Sequence, residues 1–124
     1  MSLKVVFNDA ADTIFNVFSS LIVPVTYVSV YIDGFDVNDE TEYTNVSMIQ
    51  DTFSEKDVRY LPFYSLIQPT DVKGLIKGRE LRDKGILEHN TTDIIKKENG
   101  TKYSIVAYTT DPAEALYTFL LRKV

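Results

Sequence analysis

The residues in this chain that could do chemistry are few, and the first is its single histidine. His89 lies in the polar sequence LEHNTT, which contains no catalytic motif. A nucleophilic triad needs a base held beside its nucleophile, and the surroundings of His89 supply no such pairing. The chain has no cysteine, which excludes disulfides, thiolate metal ligands and a cysteine nucleophile. We interpret His89 as a surface residue, and the sequence predicts neither enzymatic activity nor a cofactor.

A run of carboxylates is the second candidate, because oxygen-rich loops bind calcium. Its members are Asp33, Asp36, Asp39, Glu40 and Glu42. An EF-hand loop started at Asp36 would place threonine where the turn needs glycine, and serine where a bidentate glutamate belongs. The EF-hand pattern therefore fails. A solvated loop is the favoured interpretation, with weak divalent-ion binding as the alternative.

The third candidate is a group of cations within residues 68–84, QPTDVKGLIKGRELRDK. It comprises Lys73, Lys77, Arg79, Arg82 and Lys84. Proline and two glycines interrupt this segment, which predicts a long loop with room for one helical turn. The glycines lack phosphate-loop spacing, acids are interleaved with the cations, and no aromatic residues alternate with them as single-strand stacking requires. A solvated or protein-facing loop is the favoured interpretation.

The bulk properties set limits on the function. The 124 residues, 44% hydrophobic and 25% charged, predict one compact domain over 1–124. The net charge of −5 argues against general affinity for nucleic acid, which depends on phosphate neutralisation. No apolar run approaches the roughly 18 residues of a membrane span, so no membrane contact is expected.

The elements that must position these residues are mostly strands. Residues 1–23 predict a helical segment capped by Asn8 or Asp9 and stopped by Pro24. The β-branched and aromatic residues that follow predict strands over 25–32, 43–49 and 58–67. A proline within 58–67 predicts that this last strand is bent or lies at an edge.

The last segment, DPAEALYTFLLRKV, admits two interpretations. Asp111, Pro112 and Glu114 suit the first turn of a helix. Tyr117, Thr118 and Phe119 suit a strand. We favour a strand that closes the sheet after the loop TTDPAEA.

The clearest local signal is DIIKKENGTKYSIVAY, residues 93–108, in which Asn-Gly predicts a hairpin. A two-residue turn would pair Lys97 with Lys102 and Ile94 with Ile105. The tip of the hairpin would be exposed to solvent, and its base would carry apolar side chains on both faces. Such strands belong to closed or layered structures, so the sequence predicts a mostly β fold, a small antiparallel β-barrel or two-layer structure with an N-terminal helix and long loops.

From about residue 60 onward the chain resembles the small head–tail joining proteins of tailed bacteriophages, also called head-closure, connector or neck proteins. These combine an apolar strand, a Gln-Pro with a glycine-containing stretch, charged residues, a hydrophobic-basic strand with an Asn-Gly turn, and a final aromatic strand. The matching residues are Gln68, Pro69, Gly74, Arg79, Gly85, Asn99, Gly100, Tyr103 and Val106. The N-terminal helix and the acidic run lie outside this pattern, and Ile105 stands where the pattern has a first valine.

The resemblance implies a structural virion protein made in the host cytoplasm and located at the head–tail junction. It implies a homo-oligomeric ring between portal and tail proteins, through which DNA passes without specific recognition. The acidic run and the basic segment are expected to contact neighbouring subunits or partners. Two alternatives remain from the residues: a nucleic-acid-binding barrel of the oligonucleotide-binding type, and a small enzyme or ligand pocket.

Overall fold

The structure is a computed structural model that describes residues 2–32 and 38–124. Three helices occur, α1 (Leu3–Val17), α2 (Glu55–Tyr60) and α3 (Gly78–Asp83), with short 3-10 turns at Ser19–Leu21 and Tyr64–Leu66. The six strands are β1 (Ile22–Ile32), β2 (Asn38–Asp51), β3 (Val72–Lys77), β4 (Ile94–Lys97), β5 (Lys102–Thr110) and β6 (Leu116–Lys123).

The strands form a closed antiparallel barrel in the order β1-β2-β3-β6-β5-β4. The barrel consists of two three-stranded meanders, one formed by β1, β2 and β3 and the other by β4, β5 and β6. Pairing of β3 with β6 and of β1 with β4 joins the two meanders and closes the barrel. The prediction of a mostly β, antiparallel barrel with an N-terminal helix is confirmed. Inward side chains that are fully buried include Tyr27, Met48, Ile76, Ile95 and Phe119, so the barrel is filled rather than hollow.

The hairpin forms, but its register differs from the predicted one. Ile95 pairs with Tyr103 and Lys96 with Lys102, and the Lys97 amide donates to the Thr101 carbonyl at 2.8 Å. The turn therefore has three central residues, and the last, Gly100, has a φ of 91°. This is the three-residue hairpin that ends in a left-handed glycine. The shift by one residue puts Ile95, not Ile94, on the inner face.

The prediction of a long loop over 68–84 is wrong, because most of that segment is strand β3 and helix α3. Gly74 does not break β3. A Cβ there would lie 2.7 Å from the Met48 sulfur, so the glycine lets β3 pack closely on its neighbours. Gly78 plays a similar part where α3 begins, because a Cβ would lie only 1.8 Å from the Glu114 carbonyl oxygen.

Two predicted boundaries near the N-terminus are also corrected. Helix α1 begins six residues earlier than the Asn8 cap would place it, because the Ser2 hydroxyl caps it by accepting from the Val5 amide. Pro24 does not stop the helix, since it lies inside β1. It is tolerated there because pairing with β4 begins only at Val25.

The strand predicted over 58–67 is replaced by α2 and a 3-10 turn. Ser54 and Asp57 form a capping box that starts α2, so local capping outweighs the apolar and aromatic content. The C-terminal segment is a strand, as predicted. The Asp111 carboxylate accepts from the amides of Ala113, Ala115 and Leu116, which holds a tight turn there in place of a helix.

Candidate functional site

The five predicted cations lie on or beside β3 and α3, and each has a partner within the chain. Lys73 pairs with Asp57 at 2.7 Å. Lys77 and Arg79 both reach Asp12 on α1, each at 3.0 Å. Lys73 thus joins β3 to α2, while Lys77 of β3 and Arg79 of α3 join the barrel to α1. The pairs hold these helices on the barrel.

The other two cations bind backbone carbonyls. Arg82 donates to the Glu114 carbonyl and Lys84 to the Thr44 carbonyl, each at 2.9 Å. Thr44 belongs to a bulge in β2, where pairing with β1 slips by one residue and Asn45 has a φ of 57°. A bulge frees backbone groups from the ladder, and Lys84 binds one of them. The basic segment is therefore not a free cationic patch.

A cleft with a volume of about 620 Å³ lies between α1 and α3. Its lining comprises Asp12, Ser47, Lys77, Arg79, Glu80, Asp83 and Lys84. Three cations face three carboxylates, and Glu80 accepts from the Ser47 amide at 2.8 Å. A balanced lining of this kind lacks the net positive field that would concentrate a phosphate ligand.

The carboxylates fastening the helices are held in their charged form. The hydrogen bond from Lys77, assisted by Arg79, lowers the pKa of Asp12 against a smaller opposing effect of burial. Burial raises the pKa of Asp57, but hydrogen bonds from Lys73 and the Ser54 amide outweigh it, and the net shift is downward. Both groups therefore stay ionised at neutral pH.

The acidic run lies elsewhere. Asp33 and Asp36 fall outside the described residues. Asp39 belongs to β2 by its backbone, where it pairs with Tyr31. Glu40 and Glu42 are exposed on β2 and border a small cavity of about 140 Å³ together with Lys96 and Lys102 of the hairpin. Within the described part of the chain, the acidic run therefore lies beside the hairpin lysines and not beside the basic segment. Contacts of the acidic run or of the basic segment with another molecule stay predictions.

A buried polar network around His89 was missed from the sequence. The Tyr27 hydroxyl donates to Asp93 at 2.7 Å and lies 3.0 Å from Nδ1 of His89. Since the hydroxyl hydrogen goes to Asp93, the Tyr27 oxygen accepts from the His89 Nδ1–H, which leaves Nε2 unprotonated. Asp93 also accepts from the amides of Val30 and Asn90.

The interpretation of His89 as a surface residue is wrong. Its ring is partly buried and meets four aromatic rings edge-on, those of Tyr27, Tyr108, Tyr117 and Phe119. No local signal could have revealed this, because the partners come from distant strands.

The network is suited to holding a loop rather than to catalysis. Burial, more than the hydrogen bond to Asp93, raises the pKa of Tyr27 far above its usual range, so its hydroxyl stays protonated. Burial also lowers the pKa of His89, despite the nearby Asp93 and Glu114 carboxylates. Among the described residues, no serine or threonine hydroxyl is hydrogen-bonded to His89 as a nucleophile would be. The contacts fix the connection between α3 and β4 against β1.

Metal and membrane sites were also sought. No group of three or more histidine or acidic side chains that could hold a metal ion occurs in residues 2–32 and 38–124. None of the helices described above is long and apolar enough to cross a bilayer.

Comparisons with known proteins show the fold alone. No protein-family model matches the chain, and no curated protein matches it. Its structure is similar to the solution structure of protein SF1141 from Shigella flexneri 2a, with a TM-score of 0.54 and 18% sequence identity. The match covers 83% of this chain and 92% of that protein, so nearly the whole barrel architecture is shared.

Proposed function

We propose that this chain is a structural virion protein, a head–tail connector or neck adaptor that assembles as a ring between portal and tail. The observation that carries the proposal is where the chain exposes its large apolar side chains. Of thirteen such side chains in the described residues, twelve lie outside the barrel strands, and ten of these twelve are on residues 3–21 and 58–66. A monomeric protein rarely exposes such groups in clusters unless they bind something.

The exposed groups form two separate surfaces. One is on α1 and the turn after it, the other on α2 and the turn at Tyr64–Leu66. An adaptor needs different surfaces for different neighbours, and a ring of identical subunits needs two complementary surfaces on each chain. The two apolar surfaces supply the pair that a ring of identical subunits needs, and contacts with portal and tail proteins would use the remaining loops and turns.

The sequence resemblance supports the same proposal. Gln68 and Pro69 precede β3, Arg79 lies in α3, and the Asn99–Gly100 turn joins β4 to β5. The matching residues thus occupy one continuous half of the barrel. The net charge of −5 and the internal pairing of the cations suit a ring through which DNA slides without adhesion.

The nucleic-acid-binding alternative has less support. It rests on the five cations of the basic segment and on the lysines of the hairpin. Each of the five cations has a partner inside the chain, and the hairpin lysines Lys96 and Lys102 share a small cavity with the acidic Glu40 and Glu42. The barrel has six strands, whereas the oligonucleotide-binding fold has five. Titration with single-stranded DNA at low salt tests it directly: binding that weakens steeply with salt would favour this alternative over the adaptor.

The adaptor proposal is tested first by identifying the genes next to the gene for this chain, and then by binding experiments with purified proteins. Portal, capsid or tail genes are expected next to the gene for this chain. Native mass spectrometry and negative-stain microscopy with the neighbouring portal and tail proteins are then expected to show a ring on one of them. A chain that binds neither partner, and whose gene lies among unrelated genes, would refute the proposal. A monomer in isolation would not, because such rings can form only on a partner.

A further inference from the structure

Helix α1 has two apolar stripes, of which only one faces the barrel. Ala11 and Phe15 are buried against the strands. A second set of side chains, the outer stripe, is exposed along the helix: Leu3, Val6, Ala10, Thr13 and Val17. Its members follow one another at intervals of three, four, three and four residues. This 3.5-residue repeat keeps them on one side of the helix, and it is the spacing with which helices pack against helices.

The composition of the outer stripe suits close packing. Leu3 and Val17 at its ends are 64% and 67% exposed, and Val6 is 47% exposed. Ala10 and Thr13 in the middle are small, which lets two backbones approach. The Thr13 hydroxyl donates to the Asp9 carbonyl at 2.9 Å, so its polar group is already satisfied and burying it leaves no unpaired donor.

We propose that a second copy of this chain covers the outer stripe, through an antiparallel α1–α1 contact about a two-fold axis. In this alignment Val6 lies opposite Val17 of the second copy, and Ala10 lies opposite Thr13. The stripe is therefore complementary to itself, as an isologous interface requires. The alignment also sets Asp9 beside Asn16 of the second copy, which matches a carboxylate acceptor to an amide donor twice by symmetry.

The contact is small, and this places it among the weak, transient interfaces. A 15-residue helix is about 22 Å long, so a two-helix contact belongs to the small class, below about 1,200 Å² in total. We expect a reversible dimer that forms at high micromolar concentration. This inference does not rest on the adaptor function, because it concerns contact between two copies in the absence of any other protein.

Sedimentation equilibrium over a wide concentration range tests the dimer. Val6→Glu is expected to weaken dimerisation at least tenfold, because it buries a charge in the stripe. Val5→Glu is the matched control, since Val5 is 45% exposed on the same helix but off the stripe, and its dimerisation is expected to equal that of the native chain. Circular dichroism checks that both variants fold. A native chain that stays monomeric at 1 mM, or equal effects of the two variants, would overturn the proposal.

Disulfide trapping tests the orientation, and the native chain has no cysteine to interfere. Val6→Cys and ¹⁵N-labelled Val17→Cys chains are mixed and oxidised, so that the isotope label separates the products by mass. The mixed disulfide between positions 6 and 17 is expected to exceed the share of about one half that random pairing of the two chains would give. A majority of like-position disulfides, or product formation no faster than for a Val5→Cys control, would contradict the antiparallel contact.

Discussion

Tyr27 and Asp93 are hydrogen-bonded at 2.7 Å across 66 positions of the sequence, and neither has measurable exposure to solvent. The bond joins the middle of β1 to the residue just before β4, next to the pairing that closes the barrel. A buried carboxylate without donors is very costly. Asp93 is satisfied by Tyr27 and by the amides of Val30 and Asn90, so closure and the α3–β4 connection depend on one polar group.

We expect Tyr27→Phe to lower the free energy of unfolding by about 2 kcal/mol, because a hydrogen bond to a buried charged group is lost. The His89 Nδ1–H loses its acceptor in the same variant. Urea denaturation measures the change. Tyr60→Phe is the control, because Tyr60 is 74% exposed, and it is expected to leave stability unchanged. Equal stability of the two variants would show that the network contributes nothing.

Stability is expected to fall on mild acidification because of His89. Burial lowers the pKa of His89 below its usual 6.5, so the unfolded chain takes up a proton at higher pH than the folded chain. The stabilising contribution is thus complete above pH 6.5 and is lost as the pH falls through the lower folded pKa. His89→Asn, which keeps a donor toward Tyr27, is expected to flatten the stability profile between pH 6.5 and 5. An unchanged profile would contradict this assignment.

A second loss of stability is expected at lower pH from the paired carboxylates. Asp12, Asp57 and Asp71 all have a pKa lowered from 3.8, for Asp71 because the hydrogen bonds from Arg122 and the Gln68 amide outweigh burial. Their contribution is complete above about pH 4 and disappears as each is protonated in the folded state. Equilibrium unfolding between pH 5 and 2 measures it, and a profile that is flat below pH 4 would count against these pairs.

The two close-packed glycines are expected to differ in their tolerance of alanine. At Gly78 a Cβ meets the Glu114 carbonyl, a backbone group that cannot easily move. At Gly74 it meets the ends of the Met48 and Leu121 side chains, which can rotate away. We expect Gly78→Ala to cost more than about 2 kcal/mol and Gly74→Ala about 1 kcal/mol. The order of the two urea midpoints checks this, and the reverse order would contradict it.

Asp12 is expected to hold α1 on the barrel. Asp12→Asn removes the anion shared by Lys77 and Arg79. Since Asp12 is partly exposed, the loss of global stability should stay below about 1 kcal/mol. The sharper measurement is hydrogen exchange, in which the amides of α1 are expected to exchange faster while those of β6 are unchanged. Uniform changes in both elements would instead indicate general destabilisation.

Much of the barrel could be predicted from short-range signals. The β-branched run in β1 and the apolar base of the hairpin identified strands whose inward faces are buried, although their outward faces are only half-buried and Tyr108 is exposed. The strand character of β6 followed from the need to close a sheet. These features depend on periodicity and composition, which a sequence displays directly.

The errors arose where tertiary packing decided the outcome. Gly74 and Gly78 looked like breaks, yet they mark close approach between elements. The hairpin register depended on a choice between two-residue and three-residue turns that Asn-Gly alone does not make. His89 and Asp12 acquired their partners across 62 and more positions, so neither pairing leaves a local trace.

Closure of the barrel limits how this protein can bind others. Within the closed ring each strand has a hydrogen-bonded neighbour on both sides, so this part of the sheet offers no open edge to another protein. The β1–β2 ribbon extends beyond the ring, because β3 pairs only with Ile49–Asp51 of β2 while the rest of β2 pairs with β1 alone. Addition of a strand from another protein is therefore confined to this ribbon. Elsewhere, contacts with other molecules are left to side chains on the helices and turns around the barrel, where one substitution can alter a partner preference without disturbing the sheet.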